Sequence, residues 1–359
     1  MEEQLSEILT LCHNLTASDV HLKPGLPPVF RVGGTLKRSS GIPLKNEQLQ
    51  KFLETTATPT MLKQFNQRKE LDYSVSVPGV SRFRVNCFLQ RGELAFVFRQ
   101  IPFVVPTPDS IQLQRQIIES VDQDSGLILL CGPTGSGKST TIAALMQNIN
   151  ISQPFRIITL EDPIEFLFKD EKSQFLQREF RKDFLTFPDA LRAALRQDPD
   201  IIMVGEMREL ETVQLALVAA ETGHLVISTL HASTTTSAVE RILGVFPPEG
   251  REFIREQLAS VLVSIVAQAL VPSMEDPQKR VAAREILINT QAIKNVIRSE
   301  KQEQLPLFIE TGRSDGMITM NSSLEQLVVG KKVSPEKALS FSPDPEALSA
   351  RLGRLGIPC

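Results

Sequence analysis

Hydrophobic and polar positions follow two different rhythms along the chain, which change near residue 110. In the first part, Leu5, Ile8, Leu9 and Cys12 recur at helical spacing, and this pattern predicts an opening amphipathic helix. Short alternating runs between turn residues predict strands at 19–22, 29–32, 71–77, 82–89 and 94–99, and helices at 48–53 and 60–65. These elements predict a small α/β domain over residues 1–100.

The second part alternates apolar strands with helices, as a parallel sheet with crossover helices does. The predicted strands are 126–131, 156–160, 201–204, 225–229 and 281–288. The apolar stretch 258–271 is interrupted by Ser260, Ser264 and Gln268, so we expect a buried helix that is too short and too polar to span a bilayer.

A proline-rich segment separates the two rhythms. Pro102, Pro106 and Pro108 stiffen residues 101–110 and discourage a regular element there, which predicts a linker. The chain is therefore predicted to be a mixed α/β protein with domains at 1–100 and 111–359.

The strongest chemical signal stands between a predicted strand and a helix-prone run. It is the segment Gly132-Pro133-Thr134-Gly135-Ser136-Gly137-Lys138-Ser139-Thr140. Strand, glycine-rich loop and helix are the context that the G-x-x-x-x-G-K-[ST] pattern requires, because backbone N–H groups and the helix N-terminus then surround a polyphosphate. Lys138 would reach the β- and γ-phosphates, and Ser139 would hold Mg²⁺. The chain is therefore predicted to bind ATP with Mg²⁺.

Acidic residues follow two further strands. Glu206 ends the run that begins at 201 and resembles a Walker-B acid that orients Mg²⁺ or its water, although it could instead cap the next helix. Glu161, Asp162 and Glu165 follow the strand 156–160. Glu165 is the preferred residue for positioning the attacking water, with Glu161 and Asp162 nearer the metal, and exposed turn acids are the alternative.

His231 and a set of arginines complete the candidate chemistry. His231 follows the strand 225–229, where it could sense the γ-phosphate or serve a structural role. The arginines of the first domain are Arg82, Arg84, Arg91 and Arg99. Strand alternation puts Arg82 and Arg84 on one face, where they could reach a γ-phosphate or form a solvated basic face.

Composition narrows the function class. The 359 residues carry a net charge of −3, so no basic excess indicates nucleic acid as the main partner. The four cysteines are scattered, which argues against zinc ribbons and disulfide frameworks and favours a reducing compartment. Acids at Glu2, Glu3 and Glu7 are not typical of a signal peptide, so we expect a cytoplasmic protein.

Several segments, in this order, resemble the secretion ATPases of type II secretion, type IV pili and type IV secretion. They are the loop 132–140, the acidic box 156–166, the segment 198–208 and the histidine box 222–233. The segments that resemble the PilT branch, the type IV pilus retraction ATPases, are 18–22, 82–86, 190–200 and 219–224. Residues 292–298 are similar to the carboxy-terminal helix motif of that branch, with departures at Lys294 and Val296.

This resemblance implies a homohexameric ring at the cytoplasmic side of the inner membrane, at the pilus base. Each subunit would pair a PAS-like N-terminal domain with a RecA-like P-loop ATPase domain, with ATP between them. Arg84 and Arg99 then become candidates for phosphate contacts, and the residues do not decide between them. An inner-membrane platform protein and a paralogous pilus ATPase are the implied partners, and nucleic acid is not.

The resulting functional prediction is an ATP-hydrolysing motor for pilus retraction and twitching motility. The alternatives are pilus extension, a type IV secretion ring ATPase and an accessory nucleotide-dependent ring.

Overall fold

The structure is a computed structural model that describes residues 3–101, 104–276 and 279–358. Pro102 of the predicted linker and Cys359 lie outside the described residues. Contacts divide the chain into two compact units. The first comprises residues up to 104 together with Glu165–Leu167, and the second comprises residues 105–164 and those from 168 onward.

The first unit packs helices on one face of an antiparallel sheet. Its helices are α1 (Glu3–Asn14), α2 (Asn46–Thr56) and α3 (Pro59–Arg68), and its strands are β1 (Asp19–Leu22), β2 (Val29–Val32), β3 (Thr35–Arg38), β4 (Glu70–Val77), β5 (Ser81–Gln90) and β6 (Glu93–Ile101). In the described part of this unit the sheet has six strands in the order β3-β2-β1-β6-β5-β4. Leu9, Phe52 and Phe83 are among the buried side chains of its core. The helices and strands predicted for this part of the chain are confirmed.

The local sequence explains why α3 begins where it does. The exposure of β3 explains why the sequence analysis did not predict that strand. Thr58 caps α3 by accepting a hydrogen bond from the Met61 N–H, and Pro59 occupies the first helical position, where its missing N–H costs nothing. All residues of β3 are exposed, so its sequence carries no apolar alternation to indicate a strand.

The second unit is a doubly covered, mostly parallel sheet. Its strands are β7 (Gly126–Cys131), β8 (Arg156–Glu161), β9 (Gln174–Glu179), β10 (Ile201–Val204), β11 (Leu225–Leu230), β12 (Leu262–Pro272) and β13 (Arg280–Ile288). Its helices are α4 (Arg115–Glu119), α5 (Lys138–Ser152), α6 (Phe187–Ala194), α7 (Leu210–Glu221), α8 (Thr235–Gly244), α9 (Arg251–Val261), α10 (Gln291–Arg298), α11 (Leu305–Thr311), α12 (Met320–Val329), α13 (Pro335–Phe341) and α14 (Pro345–Arg354).

Strand order places β7 inside this sheet. The described strands lie in the order β13-β12-β7-β11-β10-β8-β9, and the β12–β13 pair is antiparallel while the other pairs are parallel. Along β7, Leu127 and Leu129 enter the core on one face, and Ile128 and Leu130 enter the core on the other. The mixed α/β fold class is confirmed.

The predicted buried helix at 258–271 is wrong. Helix α9 ends at Val261, and β12 runs from Leu262 to Pro272 between β7 and β13. Because a strand covered on both faces is apolar at nearly every position, its pattern cannot be told from that of a buried helix by periodicity. The sequence analysis also missed β9, whose residues are mostly half-buried.

Candidate nucleotide-binding site

Several predicted site residues of the second unit meet at one edge of its sheet. Strand β7 pairs with β11, β11 with β10, and β10 with β8, all parallel and with their ends nearly level. The loop 132–140, Glu161, Glu206 and His231 occupy or directly follow these carboxyl ends. The carboxyl edge of an open α/β sheet is where ligands bind, so this is the candidate site.

Two glycines give the loop 132–140 its shape. Gly132 has φ of 150°, and a Cβ there would lie 2.4 Å from the Ser136 Oγ and 2.5 Å from the Gln268 carbonyl oxygen, so no side chain fits. Gly135 has φ of 78°, and a Cβ there would have no neighbour within 4 Å. The loop is therefore closed toward the protein at Gly132 and open at Gly135, as a cradle for a ligand would be.

The polar groups of the loop fit a polyphosphate. Lys138 is buried at the start of α5, and its Nζ donates to the carbonyl oxygens of Gly132 at 2.8 Å and Pro133 at 3.1 Å. The Ser136 Oγ is buried and has no hydrogen-bond partner among the described residues. A buried hydroxyl without a partner is costly, and a phosphate oxygen would satisfy it.

The remaining loop residues lie at the surface or partly so. Pro133, Thr134 and Gly135 are exposed, and Ser139 and Thr140 are half-buried in the first turn of α5. The first-turn N–H groups of this helix have no intrahelical partner, which favours an anion.

Glu161 ends β8 and is held by neutral donors. The Thr159 hydroxyl donates to Glu161 Oε1 at 2.6 Å, and the Gln177 side-chain amide donates to the same oxygen at 3.1 Å. Glu161 is buried, whereas Asp162 is exposed. The sequence analysis did not identify either donor. Gln177 belongs to the missed strand β9.

The Glu206 carboxylate contacts two basic side chains. Its Oε2 lies 2.6 Å from Arg208 Nη2, and its Oε1 lies 3.3 Å from His231 Nε2. The hydrogen bond and the charge of Glu206 raise the pKa of Arg208, with a further contribution from the charge of Asp162. The structure thus brings Glu206 and His231 together as expected from their strand ends, and it adds Arg208, to which the sequence analysis gave no role.

The oxygen donors at this edge suit Mg²⁺ chemically. Ser139, Glu161, Asp162 and Glu206 offer hydroxyl and carboxylate oxygens, which are the ligands that hard cations prefer. The described residues contain no group of three or more His, Cys, Asp or Glu side chains placed to hold a metal ion by themselves. A magnesium ion here would keep several waters and bind together with phosphate oxygens.

The other predicted site residues belong to the first unit. Glu165 is exposed and lies in the segment that groups with that unit, so the geometry of the second unit does not place it. Arg84 and Arg99 pair across β5 and β6 and therefore share one face of the sheet. Arg99 Nε lies 2.8 Å from Asp19 Oδ1, whereas Arg84 is exposed and makes no ion pair or hydrogen bond to any described side chain.

Arg82 does not fit the alternative interpretation, in which these arginines form a solvated basic face. It is buried, and its Nη2 donates to the Ser74 Oγ at 2.7 Å. Arg82 is therefore a packed side chain, whereas Arg84, Arg91 and Arg99 are exposed.

Helices that could cross a bilayer are not found in the part of the chain that the structure describes; each is too short or too polar for that role.

Comparisons with known proteins agree on the family. A family model described as type II/IV secretion system protein matches residues 2–305. The type IV pilus retractation ATPase PilT of Pseudomonas aeruginosa is 43% identical over 342 residues, which cover 95% of this chain and 99% of that protein. A twitching motility protein of Neisseria gonorrhoeae is 40% identical over 322 residues, which cover 90% of this chain and 86% of that protein.

A solved structure agrees over nearly the whole chain. The crystal structure of the pilus retraction motor PilT with bound ADP matches with a TM-score of 0.89 and 42% identity, covering 96% of this chain and 99% of the other. The chain therefore belongs to the type II/IV secretion system protein family, and its resemblance to the PilT-type pilus retraction ATPases is confirmed.

Proposed function

We propose that this protein is an ATP-hydrolysing motor that powers type IV pilus retraction. It would work as a homohexamer at the cytoplasmic face of the inner membrane, at the pilus base, and pull on an inner-membrane platform protein. The reaction is hydrolysis of ATP to ADP and phosphate, coupled to removal of pilin subunits from the fibre.

The loop 132–140 is the observation that carries this proposal. It combines an open cradle at Gly135, a buried hydroxyl without a partner at Ser136 and a buried lysine at the start of a helix. These groups are the ones that a triphosphate requires, and two relatives with the same fold or sequence pattern are named as pilus retraction motors or ATPases.

In the proposed reaction Lys138 and the loop N–H groups bind the β- and γ-phosphates of the substrate. Ser139, Glu206, Glu161 and Asp162 are the residues that would hold Mg²⁺, directly or through water. When bound, Mg²⁺ neutralises phosphate charge that develops during transfer.

A carboxylate must then orient the attacking water. Glu165, Glu161 and Glu206 are the candidates. Geometry supports Glu206, because contacts with Arg208 and His231 orient its carboxylate. His231 could thereby report the state of the γ-phosphate to Glu206. We also propose that Arg84 or Arg99 contributes positive charge to the transition state; Arg84 has no other ionic partner among the described residues of its unit.

The direct test replaces Lys138 with alanine. Phosphate release should fall to background, because the loop loses the cation that binds the β- and γ-phosphates. Lys337→Ala, at an exposed lysine of α13, is the matched control and should keep wild-type turnover. Native turnover by the Lys138 variant would show that the assigned site is wrong.

The cellular test separates retraction from extension. Cells that lack the gene should be hyperpiliated and unable to retract, whereas bald cells would point to pilus extension. Turnover that rises with added DNA would favour a type IV secretion motor instead.

An accessory role is a second candidate, because Pseudomonas aeruginosa carries two pilus ATPases that are similar to this chain. The type IV pilus ATPase PilU of Pseudomonas aeruginosa is 34% identical over 339 residues. In that case retraction would continue after deletion of this gene and stop only after a second ATPase gene is also removed.

A further inference from the structure

A buried polar network lies beneath the loop 132–140. Its side chains belong to β12, which pairs with β7, and to β13, which pairs with β12. Gln268 of β12 is 3% exposed, and its side-chain Nε2 donates to the Ser136 carbonyl oxygen at 2.6 Å. Its Oε1 accepts from the Thr141 hydroxyl at 2.8 Å and from Arg284 Nε at 2.8 Å. Both ends of this amide are therefore engaged, and two of its three partners belong to the loop or the helix that follows it.

The main chain of Gln268 also limits the start of the loop. Its carbonyl oxygen would lie 2.5 Å from a Cβ at Gly132, which means that the two backbones approach closely. Gln268 thus touches the loop near its first residue through the main chain and near Ser136 through the side chain.

The bond to Ser136 determines the direction of a loop N–H group. In a planar trans peptide the C=O and the following N–H point in opposite directions. A Ser136 carbonyl held toward Gln268 therefore turns the Gly137 N–H away from Gln268. Loop N–H groups that point away from the protein are what phosphate binding requires.

Arg284 of β13 holds Gln268 in turn, although a buried cation is expensive. It is 2% exposed, and its other donors reach the carbonyl oxygens of Gln112 at 3.2 Å and Ile111 at 3.3 Å and the Gln114 side chain at 3.0 Å. Among the described residues no carboxylate pairs with it. Burial lowers the pKa of Arg284 to about 10, so it remains a cation at neutral pH.

A well-packed apolar side chain would stabilise this position as well as or better than a cation without a counter-charge. The cost therefore indicates a role beyond stability. We propose that Gln268 and Arg284 are positioning residues that hold the phosphate-binding loop in its nucleotide-binding shape. This inference rests on the proposed function, because it assumes that the loop binds a nucleotide.

Gln268→Glu separates positioning from stability. The carboxylate keeps the size and the acceptor oxygen of the amide and gives Arg284 a counter-charge, so the melting temperature should stay the same or rise. It removes the Gln268 Nε2 donor to the Ser136 carbonyl oxygen and places a second oxygen against that carbonyl. We expect the Kd for ADP, measured by isothermal titration calorimetry, to rise at least about tenfold.

Gln174→Glu is the matched control. The exposed Gln174 side chain accepts from Arg156 Nη1 at 2.8 Å, at the amino end of β9, so the same change again gives an arginine a counter-charge but does so away from the loop and from Arg284. The same chemical change there should leave the Kd for ADP unchanged. A wild-type Kd for Gln268→Glu would overturn the inference.

Thr141→Val keeps the inference testable if Gln268→Glu fails to fold or melts at a lower temperature. The valine preserves shape and removes the hydroxyl donor to Gln268, so the Kd for ADP should rise roughly two- to tenfold. An unchanged Kd would then overturn the inference. Failure of the proposed function looks different, because the wild-type protein and Lys138→Ala would then bind ADP equally or not at all.

Discussion

Gly135→Ala tests whether the open side of the loop is where the nucleotide lies. Gly135 has φ of 78°, and an added Cβ would meet nothing within 4 Å. The methyl group therefore causes backbone strain without a steric clash in the protein. An L-residue in this left-handed region costs roughly 1–2 kcal/mol, which lowers the melting temperature of a unit of this size by a few degrees, about 2–4 °C per kcal/mol.

Gly79→Ala provides the same strain far along the chain from the loop. Gly79 lies in the turn between β4 and β5, has φ of 74°, and also has nothing within 4 Å of an added Cβ. The two variants should lose a similar amount of stability, each measured for its own unit by urea unfolding. Only Gly135→Ala should change nucleotide binding.

The expected loss of affinity follows from crowding. If phosphate oxygens occupy the open space beside Gly135, a methyl group there overpacks the complex at a cost of roughly 1–3 kcal/mol, or about 5- to 150-fold in Kd. Calorimetric titration with ADP measures this difference directly. Equal Kd values for Gly135→Ala, Gly79→Ala and the wild-type protein would show that the open space is not the ligand site.

Three other predictions concern single side chains. Glu206→Gln should change the free energy of unfolding by only about 0–1 kcal/mol, because the ion pair with Arg208 is solvent-accessible. It should lower kcat for phosphate release by at least about tenfold. An unchanged kcat would show that Glu206 takes no part in the mechanism. Burial acts to raise the pKa of Glu310, but the charge of Arg351 and its other partners hold that pKa below its ordinary 4.5. Ionised Glu310 therefore stabilises the fold above about pH 4.5, and this contribution is lost as pH falls through the folded pKa; Glu310→Gln should flatten that part of the stability profile, and a wild-type profile would contradict the argument. Burial raises the pKa of Cys131 to about 12, so iodoacetamide at about pH 8 should label it only after urea unfolding, and rapid labelling of the native protein would be inconsistent with the buried position.

Local sequence was enough to predict the strand, the glycine-rich loop and the helix around residues 132–140. The run 132–140 stands between β7 and α5, and the glycine at 132 and the lysine at 138 act within a few residues of each other. Such a motif carries its own geometry, because strand, turn and helix signals are all short-range. The placement of Glu161, Glu206 and His231 after parallel strands followed from the same alternation of elements.

The stretch from 258 to 271 shows where this reasoning fails. Its apolar run reads equally well as a helix or as a strand, and the environment decides for the strand because β7 and β13 offer hydrogen-bonding partners on both sides. Gln268 was therefore treated as an interruption of a helix, whereas its side chain lies under the loop and bonds to Ser136. No pattern within residues 258–271 tells whether Gln268 lies on a helix or on a strand.

The sequence by itself predicted the mixed α/β fold class, the glycine-rich loop between a strand and a helix, and the family, because these depend on periodicity and on motifs whose residues are neighbours along the chain. Only the tertiary structure decided that Glu206 meets His231, that Gln268 of β12 contacts the loop and that Arg284 of β13 contacts Gln268. These contacts join residues that are distant in sequence or on different strands, and they depend on strand order and register, which the pairing of the whole sheet sets.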